Sequence, residues 1–201
     1  DVREKILKAL SVKEIADEIE ELDSDDAADI LSELSEKRKK QVISEISNNN
    51  LADNLKELLS YNEDSAGGLM AKELIKANEN WSVSKCLNEI KKQGENVTRV
   101  HSVYVVDDNE KLIGRLSLKD LITSSSKSII KDIYIPKVDS VNVLEKGEDI
   151  AKIMSKYDLE AIPVVDDKKH LVGRITIDDI VDVIKEEAEQ DYLLAVGVHV
   201  Y

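Results

Sequence analysis

The stretch Val103-Tyr-Val-Val-Asp-Asp-Asn-Glu-Lys-Leu-Ile-Gly-Arg-Leu-Ser-Leu-Lys-Asp-Leu-Ile122 recurs 59 residues later, without a gap, as Ile162-Pro-Val-Val-Asp-Asp-Lys-Lys-His-Leu-Val-Gly-Arg-Ile-Thr-Ile-Asp-Asp-Ile-Val181. Both copies have the same grammar. A β-branched run ends in Asp-Asp, a polar turn follows, and a second apolar run surrounds Gly-Arg. Ser117-x-x-Asp120 and Thr176-x-x-Asp179 then place a capping hydroxyl and a carboxylate where a strand hands over to a helix.

Upstream of each copy the period changes from two to that of a helix, with Val83, Leu87 and Ile90 before the first and Ile150, Ile153 and Met154 before the second. The unit is therefore helix, strand, strand, helix, twice over. Before it, Asp64-Ser65-Ala66-Gly67-Gly68-Leu69-Met70 reads as a small-residue breaker, a flexible turn and a domain boundary. The first 60 residues read as short helices at a spacing of about 12, marked by Leu10, Leu22 and Leu34. Stacked helices of that period predict an α-solenoid fragment that needs neighbours to bury its faces. The cationic run Lys37 to Lys40 opens one of these helices at the end where a macrodipole favours acids, an unexplained feature at this level.

Composition narrows the classes. The 201 residues include 42% hydrophobic side chains but no Phe, so Leu, Ile and Val must build the cores. No apolar run approaches the roughly 18 residues of a membrane span, and no basic-then-apolar leader is expected at the start. Cys86 alone precludes an internal disulfide framework and is expected as a core thiol. The formal charge of −14 disfavours nucleic acid and favours cations or basic surfaces. That charge is concentrated. Glu14 to Glu36 holds 11 acids and no base, and Asp178 to Asp191 holds seven acids against Lys185. His101, His170 and His199 have no metal-ligand spacing, and Ser117 and Thr176 lack the context of a nucleophile, so no enzyme is expected.

The hydrophobic–Gly–x–hydrophobic–Ser/Thr–x–x–Asp signature, present twice between about Leu69 and Asp191, resembles a tandem pair of CBS domains. Tyr61 to Met70, Asp25-Asp26-Ala27-Ala28-Asp29-Ile30-Leu31 and the acidic run from Asp178 together resemble the MgtE family of magnesium channels over essentially the whole chain. The resemblance implies an α+β fold: a short α-helical, solenoid-like superhelix followed by two β-α-β-β-α CBS domains. The implied divisions are 1–62 helical, 63–128 and 129–185 CBS, and 186–201 a helix linking to a transmembrane pore domain. It further implies Mg²⁺ bound at Asp25, Asp29, Glu148, Asp158, Asp179, Asp182, Glu187 and Asp191. ATP or another adenine nucleotide would sit at Lys119, Asp120 and Pro136. The expected partners are a second copy through the CBS pair and the pore domain, on the cytoplasmic side of the cell membrane. Lys146 and Gln190 stand where the family pattern offers acids. A stand-alone nucleotide-sensing CBS adaptor is the alternative.

Physical chemistry supports distributed acids for such a task. Mg²⁺ keeps most of its waters and takes one or two carboxylates. Asp25 and Asp29 are i, i+4 neighbours, as are Glu187 and Asp191, while Asp179, Asp182 and Glu186 share a face. Two carboxylates about 4 Å apart repel by roughly 4 kcal/mol at an effective dielectric near 20. A millimolar site filled to about ten times its dissociation constant contributes only about 1.4 kcal/mol. A swing from 1:99 to 99:1 needs about 5.5 kcal/mol, hence roughly four coupled sites.

Overall fold

The computed structural model describes residues 2–95, 97, 99–100 and 102–195. Five short helices open the chain: α1 (Val2–Ala9), α2 (Val12–Ile19), α3 (Ser24–Ser32), α4 (Glu36–Glu45) and α5 (Asn49–Leu58). Their boundaries are written locally. Ser11 and Glu14 form a reciprocal capping box on α2, and the Asn48 side chain accepts from the Asn50 and Leu51 N–H groups at the start of α5. Two members of the basic run of α4 have identifiable partners. Lys39 pairs back to Glu36 at 2.8 Å, and the Arg38 guanidinium donates to the Leu10 carbonyl just past the end of α1. α2 packs on α4 and α3 on α5, each against the next but one.

The junction differs from its sequence reading. Gly67 and Gly68 lie in a short helix, α6 (Ala66–Leu69), capped by Ser65, and Gly67 is buried. A Cβ on Gly68 would strike the Asn62 carbonyl, so the glycine serves close backbone approach, not flexibility. This segment binds the second repeat first. Ala66 N–H donates to the Glu145 carbonyl at 2.7 Å and Gly67 N–H to that of Val143 at 2.8 Å.

The first repeat runs β1 (Ile75–Asn78), α7 (Val83–Gly94), β2 (Val103–Val106), β3 (Leu112–Leu116) and α8 (Leu118–Thr123). The second runs β4 (Val141–Asn142), α9 (Gly147–Tyr157), β5 (Ala161–Val165), β6 (Leu171–Thr176) and α10 (Ile177–Ala195). Each makes a three-stranded sheet whose first strand is parallel to the second and whose second and third are antiparallel. The fold class expected from the sequence is the one observed. The first repeat has its own core around Ile75, Val83, Cys86, Val103 and Leu121, and burial pushes the Cys86 thiol up to about 11. The second shares one continuous apolar core with the helical domain, running from Ile19, Leu31 and Leu55 through Met70 to Ile150, Ile162 and Ile180. The helical domain is thus built onto the second repeat. Among the described residues no helix is long and apolar enough to cross a membrane.

Candidate functional site

Docking α3 beside α10 encloses a cavity of about 400 Å³. Its lining includes Asp25, Asp26, Asp29 and Glu33 from α3 and its end, Asp179, Asp182 and Glu186 from α10, and Glu63 from the junction; among the described residues Lys39 is the one base in it. The first turn of each helix supplies acids because the macrodipole favours them there. Packing then brings the two acidic ends to one place. Burial, joined by the nearby charge of Asp179, pushes the Asp25 carboxyl up to about 7, far above the ordinary carboxylate range. Asp179 itself is fixed by the repeat's capping motif. Its Oδ2 accepts from the Thr176 hydroxyl at 2.8 Å and the Thr176 N–H at 3.1 Å.

Four of the eight sequence-predicted metal residues, Asp25, Asp29, Asp179 and Asp182, therefore meet in one cavity. Glu148, Asp158 and Asp191 do not join them. Glu148 is exposed on α9 and accepts from Lys152 Nζ at 2.6 Å, a hydrogen bond that holds its carboxyl below the usual range. Asp158 ends α9 in the left-handed region (φ 53°), which Asp tolerates, and lines a different cleft. Asp191 is exposed on α10; the side chain of Glu187 lies outside the described residues, as do His101 and His199. Glu186 and Glu63 are additional lining acids; the i, i+7 spacing of Glu186 from Asp179 signals it in the sequence, while Glu63 has no such signal. Among the described residues no three acids, imidazoles or thiols converge closely enough to complete a metal-ligand set. The cavity suits a hydrated cation touching one or two carboxylates, the habit of Mg²⁺.

A second cleft, of about 390 Å³, opens between the repeats. Arg115, Lys137, Asp139, Asp158, Glu160 and the buried Tyr104 line it, with Ile135, Leu159 and Pro163 as apolar walls. The Tyr104 hydroxyl is buried without a hydrogen-bond partner among the described residues, and burial pushes it up to about 12. Pro136 lies between two lining residues, Ile135 and Lys137, whereas Lys119 and Asp120 sit on α8 outside the lining. Asp120 N–H instead donates to the capping hydroxyl of Ser117 at 3.4 Å.

Residues 1–64 match the family model of the MgtE intracellular N domain, and residues 66–127 and 130–186 each match the CBS domain. The fold superposes with a TM-score of 0.84 on the soluble part of a magnesium transporter, at 35% identity over 92% of this chain and 72% of that one. The chain belongs to the MgtE family. A second solved structure, the cytosolic domain of the Mg²⁺ channel MgtE in complex with ATP, superposes with a TM-score of 0.65 at 30% identity, covering 90% of this chain and 78% of that one. The chain is 40% identical to the magnesium transporter MgtE of Enterococcus faecalis over 149 residues, 74% of this chain and 33% of the relative. It is 36% identical to that of Thermus thermophilus over 137 residues, 68% of this chain and 30% of the relative. The chain thus spans about a third of the curated MgtE relatives, the part formed by the N domain and the CBS pair.

Proposed function

We propose that this chain is the Mg²⁺-sensing regulatory region of a magnesium channel or transporter, lying on the cytoplasmic side of the membrane. Mg²⁺ neutralises acidic faces between the helical domain and the CBS pair and across a homodimer, and the compact form favours a closed pore. The helix α10 continues toward that pore in the full-length protein. The division into 1–62, 63–128, 129–185 and 186–201 goes with this reading.

One observation carries it: Asp25 and Asp29 line the same cavity as Asp179, Asp182 and Glu186, on two elements that a cation would draw together. The like charges there weaken docking, and each bound cation removes part of that cost. Asp158, Glu148, Glu187 and Asp191 are assigned to other ions of the set, not to this cavity. For the homodimer, the repeats expose apolar residues at equivalent places, Ile122 on α8 and Val181 on α10, with Leu118 and Ile184 beside them. A nucleotide such as ATP belongs in the open cleft, with Pro136 at its wall and Lys119 and Asp120 reaching toward it from α8. The complex of the related MgtE cytosolic domain with ATP supports that class of ligand.

Small-angle scattering during Mg²⁺ titration tests the central claim. The radius of gyration should fall as Mg²⁺ is added and saturate in the millimolar range. An unchanged radius over that range would remove the sensing role.

A further inference from the structure

The two repeats are joined by contacts that occur in matched pairs. Arg115 N–H donates to the Ile135 carbonyl at 2.9 Å and Ile135 N–H returns a bond at 2.8 Å; Arg174 N–H donates to the Ala71 carbonyl at 2.9 Å and Ala71 N–H returns one at 2.8 Å. Leu112 N–H reaches the Lys169 carbonyl at 3.0 Å, and Leu171 N–H reaches that of Glu110 at 3.1 Å. The pair therefore has two equivalent positions, one beside each arginine. Beside Arg115 the cleft is open, and Arg115 is exposed.

Beside Arg174 the space is taken by the start of α3. The Arg174 side chain is 7% exposed and 3.7 Å from the Asp23 carboxylate, and its Nε donates to the Glu73 carbonyl at 2.7 Å. Ser24 is fully buried next to it. Its hydroxyl donates to Glu73 Oε2 at 2.7 Å, its N–H donates to the same oxygen at 3.1 Å, and its oxygen accepts from Lys72 N–H at 2.8 Å. Asp23 precedes α3 without a side-chain capping bond to it, and its carboxylate faces the guanidinium.

We propose that the position beside Arg174 is a second ligand cleft, held shut by the chain's own Asp23–Ser24 corner. Asp23 stands where an anionic group would meet the guanidinium, and the Ser24 hydroxyl stands where a sugar hydroxyl would meet the Glu73 carboxylate. Counting two residues on from Ala71 and Ile135, Glu73 corresponds to Lys137 of the open cleft. The closed cleft therefore tolerates less negative charge, and its ligand class is a nucleoside monophosphate. Docking of the helical domain and occupancy of this cleft exclude each other. The proposal rests on the open cleft taking a nucleotide only for the choice of probe.

Ser24→Asp tests it in the full chain. An acid in the first turn suits α3 but sets two carboxylates together at Glu73. Amide hydrogen exchange of residues 27–32 and the amount of AMP bound per chain in equilibrium dialysis are the readouts. Exchange should rise at least tenfold, and the variant should bind one AMP more than the wild type, a gain abolished by adding Arg174→Gln. If Ser24→Asp fails to fold by circular dichroism, Asp23→Ala gives the same two readouts. A variant that releases α3 without binding additional AMP overturns the ligand cleft, and one that leaves exchange unchanged overturns the latch. A wild type binding two AMP shows that the cleft is not shut. No AMP on the wild type and one on the variant upholds the closed cleft while removing the nucleotide reading of the open one.

Discussion

Asp25 on α3 and Asp179 on α10 line one cavity, and burial together with the Asp179 charge sets the Asp25 carboxyl near neutrality, at about 7. The folded value lies above the ordinary 3.8, so the folded state binds the proton more tightly than the unfolded chain does. Its stabilising contribution is complete below about pH 4 and is lost as pH rises through about 7. Without divalent cations, hydrogen exchange of α3 should therefore quicken between about pH 4 and 7 beyond the intrinsic chemical trend. Asp25→Asn should flatten that excess, and added Mg²⁺ should suppress it in the wild type alone.

The structure separates the candidate carboxylates into groups that mutation can tell apart. Asp179→Asn with Asp182→Asn and Glu186→Gln relieves repulsion in the cavity at nearly constant volume, and scattering should show a less expanded cation-free form with a weak Mg²⁺ response. Glu148→Gln removes an exposed partner of Lys152 on α9, away from this cavity. It should leave α3 exchange unchanged. Equal compaction of wild type and triple variant at equal Mg²⁺ would make the α10 acids a solvated face.

Much of this arrangement is legible in the residues alone. The gapless repeat dictates two matching strand pairs, each followed by a helix, because β-branched alternation, the Asp-Asp turn and the Ser/Thr-x-x-Asp start are local signals; the first strand of each sheet, β1 or β4, lies upstream of the repeat and is set by pairing with β2 or β5. The acids of α3 and α10 are equally visible, since charge runs show in sequence. Their meeting is not readable from spacing, because it depends on α6 binding Val143 and Glu145 and so carrying the helical domain to the second repeat. Glycines mislead for the same reason: Gly67 and Gly68 look like flexibility in sequence but are close-packing sites against Tyr61 and Asn62. Arg38 is opaque because its partner, the Leu10 carbonyl, lies at the end of another helix.

Two glycines should respond oppositely to the same change. At Gly68 an added methyl meets the Asn62 carbonyl and lies 2.9 Å from the Glu63 Cα, backbone that cannot turn aside. Gly68→Ala should cost about 1–3 kcal/mol, as overpacking does. At Gly94, in the last turn of α7, nothing lies within 4 Å of the added carbon. Gly94→Ala should stabilise by roughly 0.5–1 kcal/mol. Urea denaturation of both variants against the wild type measures the two signs.

In the open cleft, Arg115→Ala and Asp120→Ala distinguish two placements of ATP. Arg115 lines the cleft, so its loss should weaken ATP binding about tenfold or more, the loss of a charge-assisted contact of roughly 1.5–3 kcal/mol. Asp120 lies on α8 outside the lining, and its N–H is the one Ser117 caps. A comparable loss for Asp120→Ala would mean the ribose reaches α8; unchanged binding would reduce Asp120 to a helix-start acid. Titration calorimetry of both variants reads the difference directly.

Ile122 is 72% exposed and its counterpart in the repeat, Val181, 40% exposed, although each follows a fully buried residue, Leu121 and Ile180. One face of α8 and of α10 thus packs inside while the adjacent positions turn apolar groups to water. Singly exposed apolar residues are ordinary, but here the exposure recurs at equivalent places, as a second copy docking on both repeats requires. A stable interface buries about 1,200–2,000 Å² in total, more than one helix provides, so α8 and α10 must both take part. Ile122→Glu with Val181→Glu adds charge at surface positions that contribute nothing to the cores, so folding should survive while association fails. Sedimentation at tens of micromolar protein with saturating Mg²⁺ should show a dimer for the wild type and a monomer for the double variant. A wild-type monomer under those conditions removes the homodimer, and a variant that remains dimeric moves the interface off these two helices.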